Sequence, residues 1–212
     1  SNIVPWQMLC ERTGATLRYI PINEKGELVI ESLEEIIDEN TAMVAFNHIS
    51  NSLGTINPVS TILARAKAVG AWTLVDGAQS GPHAKANVQD WDVDFFTLAS
   101  HKMYGPTGLG VLYGKRERLE ALPPYQGGGE MIETVSFAGT TFNQLPYKFE
   151  AGTPNIAGAV GIGASIDFIN GLDRDLAHQH EMSLHDYALE KLEEIEGIRI
   201  IGNASNTIAK RS

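Results

Sequence analysis

By type and spacing, Asp76 and Lys102 are the residues best suited to do chemistry in this chain. Asp76 follows the short apolar run Trp72-Thr73-Leu74-Val75 and opens Asp76-Gly77-Ala78-Gln79. Lys102 closes Ser100-His101-Lys102 after a second apolar run at residues 93–98. Both runs read as strands, the first of them buried on both faces, so charged groups fall where the strands stop. Ligands of open α/β sheets bind outside the carboxyl ends of the strands, and neighbouring strands would aim this acid and this lysine into one crevice. A lysine beside a histidine and a hydroxyl, across from an aspartate, suits a Schiff base with pyridoxal 5'-phosphate, the aspartate pairing with the protonated ring nitrogen. The residues alone leave a second reading open, in which Asp76 caps its own turn and Lys102 is a solvated surface residue.

The elements that must position these groups alternate in type. Residues 1–14 read as a helix with Pro5 in its first turn, Trp6, Leu9 and Cys10 on one face, and Gly14 as its stop. A strand is expected at 17–22 and a turn at 23–26. Ser32-Leu33-Glu34-Glu35 matches a capping box that opens a short helix with Leu33, Ile36 and Ile37 inward. A buried strand at 41–46 delivers a third polar end, Asn47-His48-Ile49-Ser50-Asn51. Asn57-Pro58 then starts a helix with Ile62, Leu63, Ala66 and Val69 as its stripe and Gly70 as its close. Strand, helix, strand in succession marks βαβ units in a parallel sheet. Residues 110–113 read as a further strand, antiparallel because the turn before it is tight. Residues 123–150 are too long for an ordinary connection and read as a functional loop or hairpin. From Ile156 the chain turns helical with small residues, then forms a longer amphipathic helix carrying Leu184, Ala188, Leu192 and Ile195, before a strand at 198–201.

Composition narrows the partners. The 212 residues carry 16 basic and 26 acidic side chains, a net charge of -10, which disfavours nucleic acid and anionic membrane surfaces. No run approaches the ~20 apolar residues that span a bilayer. One cysteine, Cys10, excludes an internal disulfide, reads as a small core hydrophobe, and makes a cytoplasmic, reducing compartment the simplest expectation. His178 and His180 lie two apart on a helix and point to different faces, so no metal is expected. Gly158, Gly161 and Gly163 have the wrong order for a dinucleotide fingerprint, which argues against NAD.

Asp76-Gly77-Ala78-Gln79, Ser100-His101-Lys102 and Tyr104-Gly105-Pro106-Thr107-Gly108 together resemble the class V aminotransferase group of pyridoxal-phosphate enzymes. Within it the chain is most similar to the SufS-like group II cysteine desulfurases, which include selenocysteine lyases. The similarity runs through Asn2-Ile3-Val4-Pro5-Trp6-Gln7, Ser50-Asn51-Ser52-Leu53-Gly54, Gly127-Gly128-Gly129-Glu130-Met131-Ile132 and Phe149-Glu150-Ala151-Gly152-Thr153-Pro154-Asn155. The resemblance implies an α/β fold, a mainly parallel sheet of the seven-stranded type found in the large domain of fold type I enzymes. Residues 1–170 would form part of that domain, and residues 171–212 a connecting helix and the start of a small C-terminal domain.

The resemblance also implies roles. Lys102 would carry the cofactor, Asp76 would hold its pyridinium and Gln79 its phenolic oxygen. Asn51 would lie near that oxygen and the substrate carboxylate, and His101 would bind phosphate. Thr153 would reach the cofactor of the neighbouring subunit in a homodimer, with the segment before it at the subunit boundary. Many members place a phosphate-binding serine two residues before the histidine; here that position is Ala99, and Ser100 stands beside the histidine instead. The implied reaction takes L-cysteine, or L-selenocysteine, to L-alanine and passes sulfur as a persulfide to an acceptor protein for iron-sulfur cluster assembly. The cysteine that receives sulfur and the arginine that binds the substrate carboxylate are expected outside these residues, so the chain reads as a piece of a longer protein. Other class V enzymes, kynureninase-like or aminotransferase, and a non-catalytic fragment of the same fold are the alternatives.

Overall fold

The computed structural model describes residues 3–84 and 86–202; Asn2 and the residues after 202 lie outside them. Its centre is a four-stranded sheet in the order β1 (Met43–Asn47), β2 (Trp72–Asp76), β3 (Phe95–Ala99), β4 (Gly110–Gly114). β1, β2 and β3 are parallel, with Asn47 opposite Asp76 and Asp76 opposite Thr97. β4 returns antiparallel, Ala99 facing Gly110. The mainly parallel α/β sheet thus matches the fold class expected, with four strands of the main sheet among the described residues.

α1 (Val4–Thr13) carries Pro5 in its first turn and stops where Gly14 takes a φ of 73°, as expected, but none of its residues is buried and Cys10 is only half-buried. α2 (Leu33–Ile36) follows a 3-10 turn at Ile30–Ser32. The capping box does not form: Ser32 is itself helical and its hydroxyl donates back to Val29 O at 2.7 Å. α3 (Val59–Ala68) crosses from β1 to β2 and packs Ile62, Leu63 and Ala66 onto the sheet, joining Leu33, Ile37, Val44, Phe46, Val75, Val93 and Phe96 in one core. Asn57 does not cap it; its side chain donates to Asn47 O at 2.7 Å and so clips the end of β1. α4 (Val88–Trp91), capped by Asn87, makes the crossover from β2 to β3.

Two strand expectations fail. Residues 17–22 hold only the single bridge Ile22 to Leu28, with no neighbouring strand to pair with, and residues 198–201 are irregular. β2 is not buried on both faces: Thr73 and Val75 are buried under α3 while Trp72, Leu74 and Asp76 are half-exposed, because the second face of the sheet has only partial cover among the described residues. After α5 (Arg116–Ala121), β5 (Ile132–Ser136) and β6 (Gly139–Phe142) form the expected hairpin excursion. α6 (Ile156–Gly171) and α7 (Arg174–Glu193) follow, α7 burying no residue.

Candidate active site

The carboxyl ends of β1, β2 and β3 lie side by side, and three tight turns leave them. At β2, Asp76 is half-buried, its Oδ1 accepts from Ala78 N at 2.9 Å, and its carbonyl accepts from His48 N at 2.9 Å. The capping role is therefore real, and it occupies one carboxylate oxygen; Oδ2 makes no hydrogen bond among the described residues. Gly77 is required by crowding, since a Cβ there would enter the Phe96 ring and approach Thr97 O to 2.8 Å. Gln79 is half-buried with no side-chain hydrogen bond among the described residues.

At β3, the strand passes into a 3-10 turn, Ser100–Lys102. Ser100 N donates to Leu109 O at 3.1 Å, and Ser100 O accepts from both Met103 N at 2.8 Å and Gly105 N at 3.0 Å. Lys102 is half-buried and His101 exposed, and neither side chain has a hydrogen bond or ion pair among the described residues. The Ser100 hydroxyl behaves differently. The residue is 0% exposed and its Oγ is sealed from solvent without a partner, so it does not reach the surface that the neighbouring side chains share.

At β1, buried His48 sits edge-on to Trp91, ring centroids 5.0 Å apart. The loop that follows is closed by Ser50 N to Thr55 O at 2.9 Å, and the Ser50 hydroxyl accepts from Ser52 N and Leu53 N. Asn51, exposed at its tip, is left with no hydrogen bond among the described residues. The turn is thus held by Ser50, and the asparagine is spare. Thr153 is exposed on the turn before α6, whose first N–H groups are capped by Asn155 Oδ1 at 2.9 Å from Gly158 N. It makes no hydrogen bond to the strand-end residues.

The opposite, amino end of the parallel strands holds the residue that pattern reading overlooked. Asp94, 4% exposed, accepts from Thr73 N at 2.9 Å, from Thr73 Oγ at 3.1 Å and from Arg118 Nε at 3.0 Å, with Lys115 Nζ at 3.4 Å. Burial pushes its carboxyl up, but the hydrogen bonds from Arg118 and Thr73 outweigh that and hold it below the usual carboxylate range. An acid inside an apolar run, with a threonine at the start of the neighbouring strand, was the available signal.

The aminotransferase class-V family profile matches residues 1–211. The chain belongs to the aminotransferase class-V family. A probable cysteine desulfurase of Halalkalibacterium halodurans is 52% identical over 202 residues, which is 95% of this chain and 50% of that protein. Among solved structures, the cysteine desulfurase CsdA of Escherichia coli superposes with a TM-score of 0.89 at 39% identity, covering 92% of this chain and 49% of that one. The apo cysteine desulfurase of Thermococcus onnurineus NA1 gives a TM-score of 0.88 at 34% identity, covering 98% and 52%. The chain spans about half the length of the curated relatives it matches.

Enzymes of the class-V family work with pyridoxal phosphate, and the strand-end donor set fits that cofactor. It offers an amine, a carboxylate with one oxygen unengaged, two spare amides and an imidazole, on three turns at one sheet edge. Among the described residues no group of three metal-ligating side chains exists and no helix is long and apolar enough to cross a membrane.

Proposed function

We propose that this chain is the cofactor-anchoring half of a pyridoxal-phosphate-dependent cysteine desulfurase that converts L-cysteine, or L-selenocysteine, to L-alanine and hands the sulfur on as a persulfide. The observation that carries the reading is the parallel pairing of β2 with β3, which sets Asp76 and the Ser100–Lys102 turn on one edge. When bound, pyridoxal phosphate supplies an aldehyde that captures amines and a ring that draws electrons from the attached carbon.

The residues divide the work by chemistry. The Lys102 amine would hold the cofactor as its nucleophile and would serve as the base that moves protons at the substrate carbon. Asp76 would hold the ring nitrogen in its protonated form, its carboxylate being oriented by the hydrogen bond that Oδ1 accepts from Ala78 N–H. Gln79 and Asn51 donate to the cofactor oxygen and the substrate. His101 meets the phosphate, with Thr153 reaching it from the other subunit of a homodimer. A phosphate contact from Ser100 would require its hydroxyl to leave the interior.

Exposed apolar side chains support the dimer: Val135 at 71% and Phe137 at the hairpin tip, with Ile156 at 64% and Val160 at 71% on α6. Cys10, half-buried on α1, is not the thiolate this reading needs. That thiolate is assigned to the part of the relatives' length outside this chain. Residues 1–170 then belong to the large domain and 171–212 lead towards a second one, the division falling at the C-terminal end of α6. A cytoplasmic enzyme of iron-sulfur cluster assembly completes the reading.

The test uses the full-length protein: saturation with pyridoxal phosphate, borohydride reduction and peptide mass spectrometry. A pyridoxyl adduct on Lys102, lost in Lys102→Ala, and alanine formed from L-cysteine are the expected results. An adduct on another lysine, or none, overturns the assignment; an adduct on Lys102 with no alanine redirects it to another class-V reaction.

A further inference from the structure

The segment that follows Lys102 is seated residue by residue on one face of α6. The Tyr104 ring meets Phe168 at 5.2 Å between centroids, edge to face. Gly105 lies at Ser165: a Cβ added to Gly105 would strike the Ser100 Oγ, and would stand 3.0 Å from Ser100 O and 3.2 Å from Ser165 Oγ. Pro106 lies at Gly161, where an added Cβ would come within 3.0 Å of the Pro106 ring. Gly161, Ser165 and Phe168 follow at helical spacing and share a face. Ser165 is 5% exposed, and its hydroxyl is turned onto its own helix, donating to Ile162 O at 2.8 Å. Its size, and not a hydrogen bond to the turn, is therefore what the turn meets.

The backbone shows that this seating is imposed. Tyr104 adopts φ 60°, a conformation uncommon for a residue with a side chain. The Ser100 Oγ stays buried without a partner in the same contact, a cost normally avoided. Two unfavourable features on either side of Lys102 persist because packing against α6 over-determines the turn.

We infer that Ser165 is a positioning residue: by fixing how closely Gly105 and Ser100 approach α6, it sets the placement of the Lys102 turn against Asp76. This rests on Lys102 being the cofactor lysine. α6 begins just after the turn that holds Thr153, so the helix entered from that turn also seats the lysine's turn.

Ser165→Val puts a bulkier side chain in the seat and pushes Gly105 outward, whereas Ser165→Ala leaves room. In the full-length protein, cofactor affinity is read by titration, the pH midpoint of the bound cofactor's visible absorption by spectroscopy, and stability by urea denaturation. Ser165→Val is expected to weaken cofactor affinity by about tenfold and to move the pH midpoint, since small misplacements at a reacting centre cost large factors. Ser165→Ala should leave both within about twofold. Ser165→Thr, which matches valine in size and keeps the hydroxyl that donates to Ile162 O, carries the same expectation should the valine variant fail to fold. Gly105→Ala, whose added methyl would also stand 3.2 Å from Ser165 Oγ, should weaken cofactor affinity in the same direction. Variants that lower the urea midpoint but keep the wild-type affinity and pH midpoint overturn the inference. Failure of the underlying assignment looks different, because the unmodified protein would then yield no adduct on Lys102.

Discussion

Asp94→Ala should destabilise the protein from the amino end of the parallel strands, opposite the proposed site. The substitution removes the acceptor of two Thr73 bonds and of the Arg118 bond, from a carboxylate with 6% side-chain exposure. A buried Thr73 N–H left without an acceptor costs about 1–3 kcal/mol. Taking one partner from a buried pair costs about 3–5 kcal/mol in all. The Arg118 and Lys115 side chains are 34% and 21% exposed, so water recovers part of their charge and the low end, about 3 kcal/mol, is expected. With a urea slope of roughly 2–3 kcal/mol per molar, the midpoint should fall by about 1 M. Asp94→Asn, which keeps one acceptor, should lose about half as much. Equilibrium urea denaturation of the full-length protein reads both, and Lys102 labelling under native conditions should remain at the wild-type level. A midpoint within about 0.3 M of wild type for Asp94→Ala would refute the reasoning, because the network would then not be holding β2 to β3.

Acid should weaken the same network and, separately, the Arg18–Asp38 pair. Asp94 lies below its ordinary range, and Asp92 and Asp38 are held at about 2, chiefly by hydrogen bonds from Lys115 and Arg18 respectively. Depressed carboxylates contribute stability that is present above their unfolded pKa and lost as pH falls through the folded one, so the urea midpoint should drop between about pH 4 and about pH 2, less steeply in Asp94→Asn. Gly77→Ala drives a methyl into the Phe96 ring and Thr97 O; it should cost about 1–3 kcal/mol in urea denaturation and weaken cofactor affinity by displacing Asp76, and unchanged affinity would separate Asp76 from the cofactor.

What the sequence revealed depended on whether a residue's surroundings were local. The ends of β2 and β3 were legible because apolar runs stop abruptly at Asp76 and Ser100, and the antiparallel β4 because Gly108 and Gly110 bound a tight turn. The strand expected at 17–22 depended on a partner that propensity cannot supply, and only the Ile22 bridge formed. Ser32 had the spacing of a capping box, yet the preceding 3-10 turn gave its hydroxyl a nearer acceptor in Val29 O. Ser165 was hidden for the opposite reason: in a helix of small residues its type says only that something packs closely, and the identity of that neighbour, Gly105, is a tertiary fact. Asp94 was counted as part of an apolar run because its three donors come from β2 and the start of α5, far along the chain.

Asp76 and Lys102 are carried by successive strands joined through the single short crossover of α4. The pairing of the strand ends that carry them is therefore of short sequence separation, with a small loop-closure entropy and no need for distant chain to arrive first. During synthesis, the acid and the lysine should find their register as soon as this one unit has closed, while the turn's final seat waits for α6. Assembly of the site is thus a two-stage event: strand pairing sets which groups face each other, and a helix made some sixty residues later sets how tightly they are held.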